Sequence, residues 1–319
     1  MLAQIAVEAT RVVLILFIIL GTIGNVLNLF IFTRPTLLKS PCTLYLLAAS
    51  IDNILVIYTT LLTRLLANGF SIDITITSNA VCKLRSYVGY VFFAVSPYFF
   101  VLACFDRYCS SSPLATYRSW SNKKVAKRLI IGAITLACIL YFHMAIFFEI
   151  QSGEGGLSCN CRPGIYTIFW RIFYLIVMCI LPAFFMGLFC ILTLMNMRRQ
   201  SRRIRHSLAT GNYHRTQMDR QLLRMLFIQV STQLLCILPT AIINLLNLFT
   251  DIDSDLFNFF SQIFILTLYV SYSTSFYVFT MSSRLYQNEL FKIISLKKYI
   301  KNRQEIMVIK RIMLHPNIH

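Results

Sequence analysis

Seven stretches of 20 residues or more run almost without charge: Val12–Phe32, Thr43–Thr63, Ser86–Phe105, Leu129–Phe148, Ile172–Met197, Met225–Thr250 and Leu256–Ser283. About 20 apolar residues in a helix cross a bilayer core, and Asp52 is the one charged residue in all seven. The rest of the composition agrees. Charged residues make up 13% of the chain and mean hydropathy is +0.67, against about 25% charged in an ordinary soluble domain. The fold class expected is an all-α membrane protein, a bundle of seven spanning helices. A soluble enzyme, a secreted disulfide scaffold and a nucleic-acid-binding domain are excluded.

The net charge of +18 is topological. Seven spans place alternate loops on one side, and segments 34–42, 106–128, 198–224 and 284–319 hold 24 of the 30 Lys and Arg. Basic short loops stay cytoplasmic, so the N-terminus is expected outside and the C-terminus inside, in a multi-pass plasma-membrane protein. The basic side meets anionic lipid, and no nucleic-acid partner is implied. Val12–Phe32, followed by Arg34, reads as a span and not as the core of a cleaved signal.

The organisation expected is an outer N-terminus over 1–11, a seven-span domain over 12–283, and an amphipathic eighth helix with a cytoplasmic tail over 284–319. Tyr286, Leu290, Ile293, Ile294 and Lys297 recur at helical spacing, which suits a helix lying along the inner membrane surface. The outer loop 149–171 holds Gly153, Gly155, Gly156, Pro163 and Gly164, a composition for a hairpin or lid. The inner loop 198–224 is expected to extend the fifth and sixth helices, with a turn near Ala209–Asn212.

Asp106-Arg107-Tyr108 stands where the third span meets the inner side. Alone this triplet is a weak signal. Cys82 precedes it at the outer end of the same helix, Gly24-Asn25 lies in the first span and Asp52 in the second. Pro182 lies in the fifth, Cys236-Ile237-Leu238-Pro239 in the sixth, and Tyr277 closes the seventh. Together these resemble the rhodopsin-like (class A) G-protein-coupled receptors, in a divergent, invertebrate-type, neuropeptide-receptor-like form. There are departures. Ile237 replaces the family's Trp in the sixth helix, and Ser273-Thr274-Ser275-Phe276-Tyr277 keeps only the Tyr of the family's Asn-Pro-x-x-Tyr. Pro97 stands where a branched aliphatic residue is usual.

The resemblance implies a site set. Asp106, Arg107, Tyr108, Asp219, Pro239 and Tyr277 would serve activation and G-protein coupling, with Asp219 sharing Arg107 as a resting lock. Cys82 would bridge to the second outer loop, with Cys159 favoured and Cys161 the alternative. Asn25, Asp52, Ser96 and Ser273 would form a polar core, either holding an allosteric sodium ion or protonated and hydrogen-bonded; no other cofactor and no metal centre is implied. An amine ligand lacks its counter-ion, because Gly89 stands where amine receptors carry an Asp. Arg85, Tyr90, Phe93, Arg171, Tyr174 and Asn244, with Arg64 near the mouth, suit a peptide, one carrying an acidic group or a C-terminal carboxylate or amide. The partners implied are that ligand, a heterotrimeric G protein and the bilayer. The seventh span has no Lys for a retinal Schiff base, and one buried carboxylate is too few for a transport path.

Overall fold

The computed structural model describes residues 2–153, 156–204, 213–249 and 255–295, with side chains over 4–152, 156–199, 220–246 and 256–295, residue 258 aside. Seven helices are long and apolar enough to cross a membrane: Gln4–Phe32, Pro41–Gly69, Asn79–Ser111, Lys123–Phe147, Ile165–Arg199, Arg220–Leu246 and Phe259–Ser282. We number these spans in chain order. In hydrocarbon the backbone must bond within itself, which is why each apolar run becomes one helix. The first helix starts at Leu2, so most of the expected outer N-terminus is helical. Arg11 ties it down by donating from Nε to the carbonyl of Gly69, 2.5 Å away at the end of the second span.

Local chemistry sets the helix starts. Ser78 accepts the amide of Val81 and caps the third span, and Asn122 accepts the amide of Val125 and caps the fourth. These are standard N-cap roles. Pro41 opens the second span, where its missing N–H costs nothing. The third span is the most buried of the seven and the fourth the least. Residues such as Ile19, Ile139, Phe184 and Leu235 are exposed on the outer faces, as lipid contact requires. Close approach of the first and seventh spans depends on Gly24, where a Cβ would stand 2.9 Å from the Cβ of Phe276.

Three prolines lie inside spans, and each leaves carbonyls that a neighbour must satisfy. Pro97 cannot donate to Phe93, and the Tyr272 hydroxyl from the seventh span donates to that carbonyl at 2.6 Å. Before Pro182 the fifth span widens into a π-helical turn over Leu175–Ile180, and Tyr98 donates to the Val177 carbonyl at 2.7 Å. Around Pro239, Thr267 donates to the carbonyl of Cys236 at 2.8 Å and Thr240 to that of Phe264 at 3.0 Å. The carbonyl that Pro97 leaves is thus filled from the seventh span, and the bonds near Pro182 and Pro239 tie neighbouring turns to adjacent spans.

The second outer loop is a hairpin, as its glycines suggest: strands Phe148–Gly153 and Gly156–Cys161 pair antiparallel, with Ile150 opposite Cys159. After the seventh span a helix over 284–295 follows. It docks through Tyr286, which is fully buried against Phe32, Phe276 and Phe279. The predicted turn near Ala209–Asn212 and the tail beyond residue 295 lie outside the described residues.

Candidate functional site

The outer cavity. Between the outer halves of the spans lies a cavity of about 170 Å³, lined by Thr60, Arg64, Arg85, Gly89, Tyr90, Phe93, Trp170, Tyr174, Thr240, Asn244, Ile265, Leu268 and Tyr269. Five of the six expected pocket residues line it, and Arg64 joins them. Arg171 does not. Each turn of a helix carries 3.6 residues, so Arg171 and its neighbour Trp170 point about 100° apart, and Trp170 takes the cavity face. Trp170 packs edge-on against Tyr90 with ring centroids 4.9 Å apart, and Phe93 stacks on Tyr272 at 5.0 Å. Trp170 went unread in the sequence because the fifth span was expected to begin at Ile172, which left Trp170 in the outer loop, whereas the helix begins at Ile165.

The hairpin packs beside this cavity and is pinned to the outer end of the third span. Cys82 and Cys159 form a disulfide with Cα atoms 5.6 Å apart, and Cys161 is free, 3.7 Å from the Thr167 hydroxyl. Strand alternation puts Cys159 and Cys161 on one face, so position along the strand, not side, separates them. At the hairpin's base Arg162 binds Glu149 at 2.9 Å, and hydrogen bonding from that guanidinium holds the Glu149 carboxyl below its ordinary value. Phe148 lies buried beneath, against Tyr90 and Trp170.

The polar core. Asn25 donates from Nδ2 to the carbonyls of Gly21 and Tyr272 at 2.8 and 2.9 Å. Its Oδ1 accepts from Asn53 at 3.1 Å and from the Ser275 hydroxyl at 3.2 Å. Ser96 donates to Asn53 Oδ1 at 2.7 Å. Asn28 donates to the Ser275 hydroxyl at 3.2 Å and accepts from the Tyr286 hydroxyl. The network joins spans one, two, three and seven to the inner helix.

Three residues that the sequence reading did not single out, Asn28, Asn53 and Ser275, build this network. Asn53 meets the side chains of Asn25 and Ser96; Asp52 is buried one position away, its carboxyl against the Ser96 backbone and Oδ2 unpartnered. Ser275, not Ser273, enters from the seventh span; Ser273 packs beside Gly21, its hydroxyl unpartnered. Tyr277 does not point inward. It turns to the first span and donates to the Leu20 carbonyl at 3.3 Å, while the buried aromatic of that segment is Phe279. Asp52 and Ser273 are buried, like Asn53 and Ser275, so nearby residues of one span face different parts of the interior. The Asp52 carboxyl lies against the Ser96 backbone, and Asp52 Oδ2 and the Ser273 hydroxyl are both buried without a hydrogen-bond partner. Among the described residues no group of three His, Cys, Asp or Glu could hold a metal.

The inner end. Asp106 and Arg107 are both buried. Arg107 donates to Asp106 Oδ2 at 2.5 and 3.1 Å from Nη2 and Nε, and Nη2 also reaches the Ser40 hydroxyl at 3.0 Å. Ser121 donates to Asp106 Oδ1 at 2.8 Å. Tyr108 turns instead to Phe189, stacked at 6.0 Å. The Asp219 side chain lies outside the described residues. Gln221 Oε1 accepts the Leu285 amide at 2.6 Å and the Ser283 hydroxyl at 3.2 Å, linking the sixth span to the inner helix.

A bundle of seven apolar helices with a disulfide-pinned outer hairpin beside a cavity, and an Asp-Arg-Tyr triplet at the inner end, defines a membrane receptor. The family model for the 7 transmembrane receptor (rhodopsin family) matches residues 24–277, and the chain belongs to that family. It is a multi-pass receptor and not an enzyme. A relative described as somatostatin receptor type 4, from Rattus norvegicus, is 24% identical over 245 residues; the match covers 74% of this chain and 60% of that receptor's length.

Proposed function

We propose that the chain is a plasma-membrane receptor, N-terminus outside and C-terminus in the cytosol, that takes a peptide into the outer cavity and activates a heterotrimeric G protein. The observation that carries this reading is the continuity between the cavity and the inner end. Phe93 is a wall of the cavity and its carbonyl holds Tyr272. The Tyr272 carbonyl holds Asn25, and Ser275 and Asn28 lead on to Tyr286. A relative named as a somatostatin receptor points the same way. Among the described residues no carboxylate lines the cavity to balance an amine.

A ligand preferring one arrangement of this network shifts the equilibrium toward it. Pro239 lies inside the sixth span, whose inner half is held through Gln221; releasing that half opens the space beside Arg107 for a G-protein helix. Asp219, twenty residues before Pro239, is the proposed second partner of Arg107, and Asp219→Ala should raise basal signalling.

The test is a peptide-library screen on cells expressing the chain, read by calcium and cyclic AMP. The expected result is a G-protein-dependent response that Arg107→Ala abolishes at matched surface expression. A ligand-gated current that persists without G protein, or accumulation of a transported substrate, would overturn the reading.

A further inference from the structure

We infer that the basic wall of the outer cavity is built to take a carboxylate, so that the activating ligand presents a free acid to Arg64 and Arg85. The inference rests on the receptor reading above and assigns the chemical class of its ligand.

Two guanidinium groups from adjacent spans line one cavity. Arg85 is held in place by Thr63, whose hydroxyl accepts from its Nη2 and Nε at 2.8 and 3.3 Å. Arg64 follows Thr63 in the chain. Its Nε is buried with no hydrogen-bond partner, and so is the Thr60 hydroxyl one turn away. The ion pairs among the described residues are Glu8–Arg11, Glu289 with Arg34 and Lys292, Asp106–Arg107 and Glu149–Arg162. Neither cavity arginine takes part.

A guanidinium that only snorkels carries its head to the interface. Here Arg64 instead turns a buried, unfilled donor into a cavity shared with a second cation. Buried charges without a counter-ion are costly, and the missing group can be named from the donors. Planar N–H forks match the two oxygens of a carboxylate, and the Thr60 hydroxyl adds a third donor. Gly89 keeps the approach open; even a Cβ there would stand 3.5 Å from the Thr60 hydroxyl. The facing wall of Tyr90, Phe93, Trp170 and Tyr269 suits an apolar or aromatic group next to the acid.

The probes are N-acetyl-phenylalanine, its C-terminal amide, and N-acetyl-aspartyl-phenylalanine amide, which carries its acid on a side chain. Each is added to the purified full chain in a thermal-denaturation assay. A site-specific ligand at about ten times its Kd should raise the melting temperature by about 2–4 °C. The first acid is expected to do so and its amide is not. A shift with the aspartyl probe as well would assign recognition to any carboxylate, and a shift with the first alone to a C-terminal one. Arg64→Gln should erase the shift. Should Arg85→Gln lose its fold along with its Thr63 contacts, Thr60→Val, which leaves both arginines in place, should weaken the shift.

Equal stabilisation by acid and amide, no stabilisation by either acid, or a full shift retained in Arg64→Gln would overturn the inference. An uncharged, amidated peptide emerging as agonist would also overturn it while leaving the peptide reading intact. Acid-selective stabilisation in a chain with no peptide agonist would do the reverse.

Discussion

The polar core and the outer cavity are built from overlapping spans, yet they treat their buried polar groups in opposite ways. In the core, Asn25, Asn28, Asn53, Ser96 and Ser275 satisfy one another, and the carbonyl freed by Pro97 is filled by Tyr272. In the cavity, the Arg64 Nε and the Thr60 hydroxyl are left unfilled. A buried donor or acceptor without a partner costs about 1–3 kcal/mol. Asp52 Oδ2 and the Ser273 hydroxyl are unpartnered; apart from them, its hydrogen bonds hold the core in one arrangement, while the cavity stands to gain from whatever enters it. A receptor needs both, a network that holds one state and a site that rewards departure from it.

The largest expected effect separates the two regions. Cys82→Ser removes the pin of the hairpin, and loss of a native disulfide typically costs about 2–5 kcal/mol. Surface expression and ligand binding should fall sharply, while a fraction that does reach the membrane keeps its core. Wild-type binding and surface levels in this variant would show that the hairpin is not what shapes the cavity.

Next comes the identity of the core residue in the second span. Asn53→Ala strands Asn25 and Ser96 and should cost about 1–3 kcal/mol in thermal stability. Asp52→Asn should cost less, and agonist affinity should be the same in sodium and in a bulky organic cation. A larger loss from Asp52→Asn, or an affinity that follows sodium, would reinstate Asp52 as the centre.

A smaller effect is expected at the clamp. Tyr272→Phe removes one hydrogen bond, worth about 0.5–1.5 kcal/mol. In a Pro97→Ala background the helix supplies its own N–H to Phe93, so the same change should cost less. A double-mutant cycle on melting temperature measures the difference; additive losses would mean that Tyr272 does not answer Pro97.

The smallest effect lies at the inner helix. Glu289 is buried between Lys292 at 2.7 Å and Arg34 at 3.4 Å. Burial pushes its carboxyl up, but the hydrogen bonds and charge of Lys292 and Arg34 outweigh that and hold it below its ordinary value of 4.5. A depressed carboxylate stabilises the folded form above its ordinary value and loses that contribution as pH falls through the depressed one. A spin label at Ser295 should gain mobility over that acid window, and Glu289→Gln should remove the pH dependence. Identical pH profiles in the two proteins would show that the ion pair does not hold the helix.

Much of the architecture was legible in the chain itself. The seven spans follow from length and the absence of charge, because hydrocarbon admits no other backbone solution for such segments. The hairpin followed from its glycines, and the cavity wall of Arg85, Tyr90, Phe93, Tyr174 and Asn244 from residues placed near the outer ends of spans. Depth along a helix can be counted from sequence at 1.5 Å per residue. Rotation about the helix cannot. One position turns a side chain by about 100° and two positions by about 200°, so the bonds that Asn53 and Ser275 make beside the buried Asp52 and Ser273, and the inward turn of Phe279 beside Tyr277, are invisible to a reading of motif letters. Only packing settles that angle: Gly24 against Phe276, Tyr272 against the carbonyl that Pro97 frees, Tyr286 seated on Phe32 and Phe279. Cys159 and Cys161 pose the same problem in a strand. Alternation puts both on one face, and the distance to Cys82 in the folded chain is what chose between them.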